Sequence, residues 1–420
     1  MSVDSSTEPI TAAAPWWAQL RGLFADVGYR RYWAASASFG LGIWAWLTAM
    51  GWSAKQLSDT AFGVSMVSVV YFLPFFLFAL PSGLLADVAN RKTTAVVVRA
   101  GGALGSAVLV FQAATGGLTY RWLLVHAFIV GCSVILELTA RQAYLTHLVP
   151  MDMLVRASAL SAVHGGMSRF LGPLLAGALI SRFDDAGGYA ILLASNVFFV
   201  LMFLRIPVSG AVPAEVDAEA KPRPVAEIIA GFRYLGQHRD ALALVGISIL
   251  AGVVGWIHVA LMPLVAEDVL GGDAVTLGLL STALGLGSVP PSISLAVKRR
   301  LVGEGRLFIV AMLLWGGAIM AFPYAGTIPL SVLALGVAGL GFGFQSILTR
   351  TILLRIVDPA FHGRVMGTLM LTWGANIVGT LVGGRIADLL GVQTVIAMSG
   401  GMILAVTLGI LAWNPRLWRV

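Results

Sequence analysis

The chain has 420 residues, of which 58% are hydrophobic and only 11% charged; a soluble domain carries about a quarter charged residues, so too little polar surface is present to coat one of this size. The apolar content excludes intrinsic disorder, and the single cysteine, Cys132, excludes a disulfide scaffold. What remains is an integral membrane protein with a net charge of +7 whose placement needs explaining.

Residues 1–14 are polar and lack the charged and apolar regions of a cleavable signal peptide. Trp16, Trp17, Leu20, Leu23, Phe24 and Val27 then form a helical stripe with Arg21 and Asp26 off it. That pattern predicts an interfacial amphipathic helix, or else an N-terminal extension of the first span. A spanning helix needs roughly 20 apolar residues. Spans are expected near 31–53, 61–82, 93–114, 121–146, 156–181 and 188–206, and again near 241–266, 274–297, 306–324, 327–353, 364–387 and 392–413. The apolar runs are continuous rather than alternating, which argues for helices over a β-barrel.

A polar stretch at 208–240 separates the two sets of six. Its start is rich in Pro, Ala and charge, as in a linker, and Ile228, Ile229, Phe232 and Leu235 at its end predict a short surface helix. The expected organisation is a tail and interfacial helix over 1–30, a six-helix bundle over 31–207, the linker over 208–240, a second bundle over 241–413 and a tail over 414–420. Most of the 27 Lys and Arg residues fall on one side of this topology, while Arg99, Arg169 and Arg385 lie inside spans. The positive-inside rule places both termini in the cytoplasm. Topology thereby accounts for the positive charge, and no nucleic-acid partner is implied.

The halves resemble each other. Arg141 stands nine residues before Pro150 and Arg350 nine before Pro359, and GPLLAG at 172–177 parallels GTLVGG at 379–384. An internal duplication of six spans is the expected layout of a secondary transporter with its site at the midplane.

After the second span the chain reads GLLADVANRK. It resembles the loop signature G-x-L-A-D-R-x-G-R-K of the Major Facilitator Superfamily, matching at Gly83, Leu85, Ala86, Asp87, Arg91 and Lys92 and departing at Val88 and Asn90. The segments GYRRYWAASASFGLG, LVPMDMLVRASAL, SRFLGPLLAG and LMPLVAEDVLGGDAVTLGLL are similar to the enterobactin-exporter-like branch, the transmembrane secretion effectors. Gly172, Pro173 and Gly177 partly match the antiporter signature of the fifth span, with Ser168 and Ala176 in place of glycines. The resemblance implies an all-α membrane fold of twelve helices in two pseudo-symmetric bundles. It also implies export of siderophores, macrolides or other drugs, generally against a proton gradient, by a monomer in the bacterial inner membrane. By the same resemblance Asp87 contacts the start of the eleventh helix near Arg364 and closes the cytoplasmic side, with Arg91 and Lys92 as charge partners or as plain topology signals.

Charges inside the membrane are the other informative class, since each costs about 2.5–3.5 kcal/mol at the bilayer centre. Arg169 lies 13 residues into the fifth span, about 20 Å along a helix. It is either a contact for an anionic substrate or for Glu137, or an internal tie. Glu137 precedes Arg141 by one turn in the favourable order; it is either the proton carrier or half of a structural pair. His164 is a further coupling or substrate candidate, with hydrogen-bonded packing as its other reading, as for His258; His126 reads as interfacial. The R-x-x-Q-G context of many proton-coupled fourth spans is absent around Gly131.

Of twelve tryptophans many belong to interface belts. Trp44, Trp46, Trp256 and Trp373 lie deeper and, with Asn376, are candidates for cavity lining or helix packing. No metal site, cofactor site, nucleophile constellation or G-x-x-x-x-G-K-[ST] loop is legible, so ATP is not the expected energy source and the protein is not read as an enzyme. The expected partners are a small-molecule substrate, protons and the lipid bilayer. The expected function is export of a hydrophobic or amphipathic small molecule; the rivals are import of a small organic solute and a non-transporting scaffold or sensor.

Overall fold

The computed structural model describes residues 22–78, 81–82, 85, 89–210, 224–297, 303–358 and 361–419. Every regular element among them is helical. Helices α1 (Val27–Leu57), α2 (Ala61–Leu77), α3 (Arg91–Ala114) and α4 (Tyr120–Leu148) carry the first four spans, and α5 (Leu154–Leu204) carries the fifth and sixth. The linker supplies α6 (Pro224–Gln237). The second half comprises α7 (Arg239–Gly255), α8 (Ile257–Leu264), α9 (Ala274–Gly287), α10 (Val289–Val297), α11 (Glu304–Ala321), α12 (Ile328–Ile356), α13 (His362–Leu390) and α14 (Val392–Trp413). Among the described residues eight helical stretches are long and apolar enough to cross a membrane, one of them, Arg156–Leu204, covering two expected passages.

Local sequence sets where the helices begin. Asp26 accepts from Tyr29 N at 2.6 Å, Asn90 from Thr93 N at 3.0 Å and Asp273 from Thr276 N at 3.0 Å, each satisfying an N–H that the first turn leaves open. Phe183 and Asp184 leave helical geometry, with Asp184 at φ +53°, and there α5 folds into two arms. The arms return so tightly that a Cβ at Gly187 would lie 2.4 Å from the Leu179 carbonyl oxygen.

Two spans expected to be continuous are broken. The seventh breaks at Trp256, after Gly255, whose missing side chain admits the Trp315 ring. The eighth breaks at Ser288, ahead of Pro290 and Pro291, because a proline ring conflicts with the carbonyl four residues back and donates no N–H. The interfacial helix expected over 16–27 lies outside the described residues except for its end, where Leu23 is buried in the core and Phe24 packs edge-on against Trp33. Helix α6 forms as expected and lies on α13: a Cβ at Gly231 would meet the Arg364 carbonyl oxygen at 2.8 Å, and Tyr234 stacks on Phe361 at 4.4 Å.

The repeated glycine segments set the packing of both halves in the same way. Gly172 rests on α1, against the Leu41 carbonyl and Trp44, and its counterpart Gly379 rests on α7, against the Val253 carbonyl. Gly177 meets the Ala274 carbonyl of α9, and its counterpart Gly384 meets Ser65 of α2. Each half therefore presses its fifth helix onto its own first helix and onto the second helix of the opposite half. The first seam continues inward, where a Cβ at Gly278 would lie 2.8 Å from the Pro173 carbonyl oxygen and one at Gly285 2.5 Å from that of Arg169. Small residues permit this backbone approach, which is the main attraction available between helices in lipid.

At the end remote from the linker, here termed outer, the seams are closed by polar contacts. Lys55 Nζ lies 3.0 Å from Asp268 Oδ1, Gln56 donates to Glu267 at 2.8 Å, and the Phe62 amide donates to Asp388 at 3.2 Å.

Candidate functional site

The first half holds an ionic cluster assembled from four helices. Glu137 on α4 is fully buried and offers one carboxylate oxygen to each of two arginines: Oε1 to Arg141 Nε at 2.5 Å and Oε2 to Arg99 Nη2 at 3.2 Å. Arg99 on α3 also donates to the Ser133 carbonyl at 2.9 Å and to Asn196 at 3.5 Å, and its guanidinium lies 3.6 Å from the Phe39 ring centroid. Arg141 reaches Ser36 of α1 at 3.4 Å, and Asn196 passes the network on to Ser106 at 3.2 Å. Two cations share one anion, so the cluster keeps one positive charge. The i,i+4 pair was visible in the sequence. The place of Arg99, 38 residues from Glu137, was not, since only the crossing of α3 and α4 brings them together.

The first arm of α5 carries two more polar groups. Arg169 sits 5.0 Å over the Trp44 ring, its Nε is buried without a partner, and it makes no ion pair among the described residues. It does not reach Glu137, whose oxygens go to Arg99 and Arg141. His164 packs edge-on against Trp33 at 5.8 Å, and its two buried ring nitrogens have no hydrogen-bond partner among the described residues.

In the second half a cavity of about 110 Å³ is lined by Trp256, Trp315, Phe342, Gln345, Ser346 and Arg350 among others. Its polar wall is a neutral cluster in which Gln345 donates to Thr349 at 3.2 Å and Ser248 lies 3.3 Å from Thr349. Trp256 thus lines a cavity. Trp46 is instead fully buried beside Tyr71 and His126, in helix packing, and Asn376 is buried and accepts from Thr380 at 2.8 Å. Side-chain placement of Trp373 lies outside the described residues. A second pocket, of about 400 Å³ at the outer end, is bordered by Gln56, Asp184, Asp185 and Asp273. Burial raises the pKa of Asp185, while a hydrogen bond from Ser53 lowers it and the Asp184 charge raises it.

Of the expected gate, Gly83 and Asp87 lie outside the described residues. Arg91 contacts His147 at 2.5 Å and donates to the Ala143 carbonyl at 3.3 Å, and Lys92 donates to the Ile206 carbonyl at 2.5 Å. Both residues tie the start of α3 to the ends of α4 and α5. Arg364 lies 5.2 Å over the Phe361 ring, beside the α6 contact. Among the described residues no cluster of His, Cys, Asp and Glu is arranged to hold a metal ion.

Residues 17–418 match the family of transmembrane secretion effectors. The chain belongs to that family. It is 19% identical to the staphyloferrin A transporter of Staphylococcus aureus (strain NCTC 8325 / PS 47), over 92% of this chain and 96% of that protein. It is 24% identical to macrolide efflux protein A of Streptococcus pyogenes, over 84% and 87%. The crystal structure of the nucleoside transporter NupG superposes with a TM-score of 0.71 at 17% identity, covering 92% of this chain and 98% of that one. That likeness establishes the Major Facilitator Superfamily fold. As a secretion effector of this fold the protein is a multi-pass, non-enzymatic membrane transporter of small molecules.

Proposed function

We propose that this protein exports an amphipathic small molecule by alternating access, with both termini and the linker cytoplasmic and its bundles divided at 208–240. The observation that carries the reading is the outer closure. Lys55–Asp268, Gln56–Glu267 and Phe62–Asp388 are few, polar and partly solvated, so they are cheap to break, whereas a fixed assembly would close with apolar contact. The glycine seams beneath them let helices slide without steric locking. Relatives named for staphyloferrin A and macrolides support an organic cargo. Protons are the counter-ion we infer from the resemblance to exporters, and Glu137 is the carboxylate to test. Its two arginine partners favour the reading of a fixed anion that holds α3 and α4 together.

The test compares small molecules in cells and medium for wild type, Asp87→Asn and Glu137→Gln at equal membrane levels. A compound that leaves with wild type and stays with Asp87→Asn establishes export and names the cargo. Accumulation of a tracer by wild type over empty vector would replace export by import.

A further inference from the structure

We infer that the cargo is an anion, an amphipathic carboxylate or phenolate, and that Arg169 is its anchor where the two halves meet. The inference rests on the transport reading, because a cargo site at the seam presupposes one.

A cation inside a bilayer is costly unless paired, and the other interior cations of this protein show how it is offset. Arg99 and Arg141 share Glu137. Among the described residues Arg169 has no carboxylate and no hydrogen-bond partner; the contact it makes is with the Trp44 face at 5.0 Å. Such a contact offsets only part of the cost of an unpaired charge at the centre. One turn and a half earlier on the same arm, the two unpartnered nitrogens of His164 are further polar groups without a satisfied role. Each half carries surplus charge of the same sign: the Arg99–Glu137–Arg141 cluster of the first half retains a positive charge, and Arg350, which makes no ion pair among the described residues, lines the cavity of the second half. An anion entering between the halves would meet positive charge on both sides. The cavity of the second half offers the rings of Trp256, Trp315 and Phe342 for an apolar body, and Gln345 and Ser346 for hydroxyls. Arg169 is also placed to report occupancy to the seam, because its own carbonyl abuts Gly285 of α9.

The test uses the purified full-length protein in lipid nanodiscs and two dyes with one xanthene skeleton, carboxyfluorescein (anionic) and rhodamine 123 (cationic). Wild type should prefer carboxyfluorescein, and added salt should weaken that binding. Arg169→Met should weaken it roughly tenfold or more, in line with loss of a charged hydrogen bond, while Arg169→Lys keeps part of it. Because the charge is unpaired without cargo, Arg169→Met should hold or raise the melting temperature. A structural tie would behave oppositely, with a lowered melting temperature and unchanged dye affinity, and that result overturns the proposal. So does preference of the wild type for rhodamine 123, a measurement that needs no variant to fold. If the dye binds through Arg169 yet no compound leaves cells, export fails and the anchor stands. If compounds leave cells equally well with Arg169→Met, the anchor fails and export stands.

Discussion

Glu137 concentrates the residue-scale lesson. Its carboxylate separates two guanidinium groups in the interior of the first half, so Glu137→Gln leaves both without an anion. Breaking a buried ion pair from one side costs about 3–5 kcal/mol. We expect Glu137→Gln to lower the melting temperature and the yield of folded protein. The double variant Arg99→Met, Glu137→Met should recover much of the loss by removing one charge of each sign. Thermal unfolding of the three proteins in detergent checks this, and equal destabilisation by single and double changes would deny the cluster its structural role. The sequence showed half of this arrangement. Glu137 and Arg141 are one turn apart on any helix, whereas Arg99 could be assigned only after its helix had a place.

At the scale of elements, glycine positions decide which helices touch. Gly285 has the Arg169 carbonyl where a side chain would stand, and Gly177 has the Ala274 carbonyl. Gly285→Leu should therefore force α5 and α9 apart, leaving membrane insertion intact while abolishing transport; surface labelling and efflux by the same cells separate the two effects. Gly246, around which a Cβ would meet open space, is the control, and Gly246→Ala should be silent. The repeats at 172–177 and 379–384 announced a duplication but not its purpose. Only the assembled halves show that each first glycine seats a helix on its own half and each last one on the opposite half. The linker helix follows the same logic, because Gly231 and Tyr234 fit it to α13 beside Arg364. Its apolar spacing foretold a helix and left open what it would cover.

For the whole molecule the decisive prediction concerns the outer closure. In a Cys132→Ser background, Lys55→Cys and Asp268→Cys place two thiols on either side of a contact where an ion pair now bridges the halves at 3.0 Å, and a short bis-methanethiosulfonate linker spans the gap left by the shorter side chains. Cross-linking should arrest efflux and reduction of the linker restore it, because alternating access requires this contact to open in every cycle. Efflux unaffected by a completed cross-link would mean that the two ends do not separate during transport. Removing the pair without cross-linking, by Lys55→Ala, should change folded stability by about 1 kcal/mol or less, since exposed pairs contribute little.

Composition and hydropathy determined on their own that the chain lives in a membrane as helices, because a bilayer core offers no other solution for backbone hydrogen bonds over runs this long and apolar. The GLLADVANRK loop and the repeated glycine segments carried the family and the duplication, since both are local in sequence. Tertiary structure alone decided that Arg99 completes the ion cluster, that Trp46 is packed while Trp256 faces a cavity, and that Arg169 stands above Trp44 with no ion pair among the described residues. Those facts depend on which faces of separate helices meet. In lipid, where apolar burial does not discriminate one helix face from another, that choice is made by close packing of small residues and by charges finding partners across the bundle.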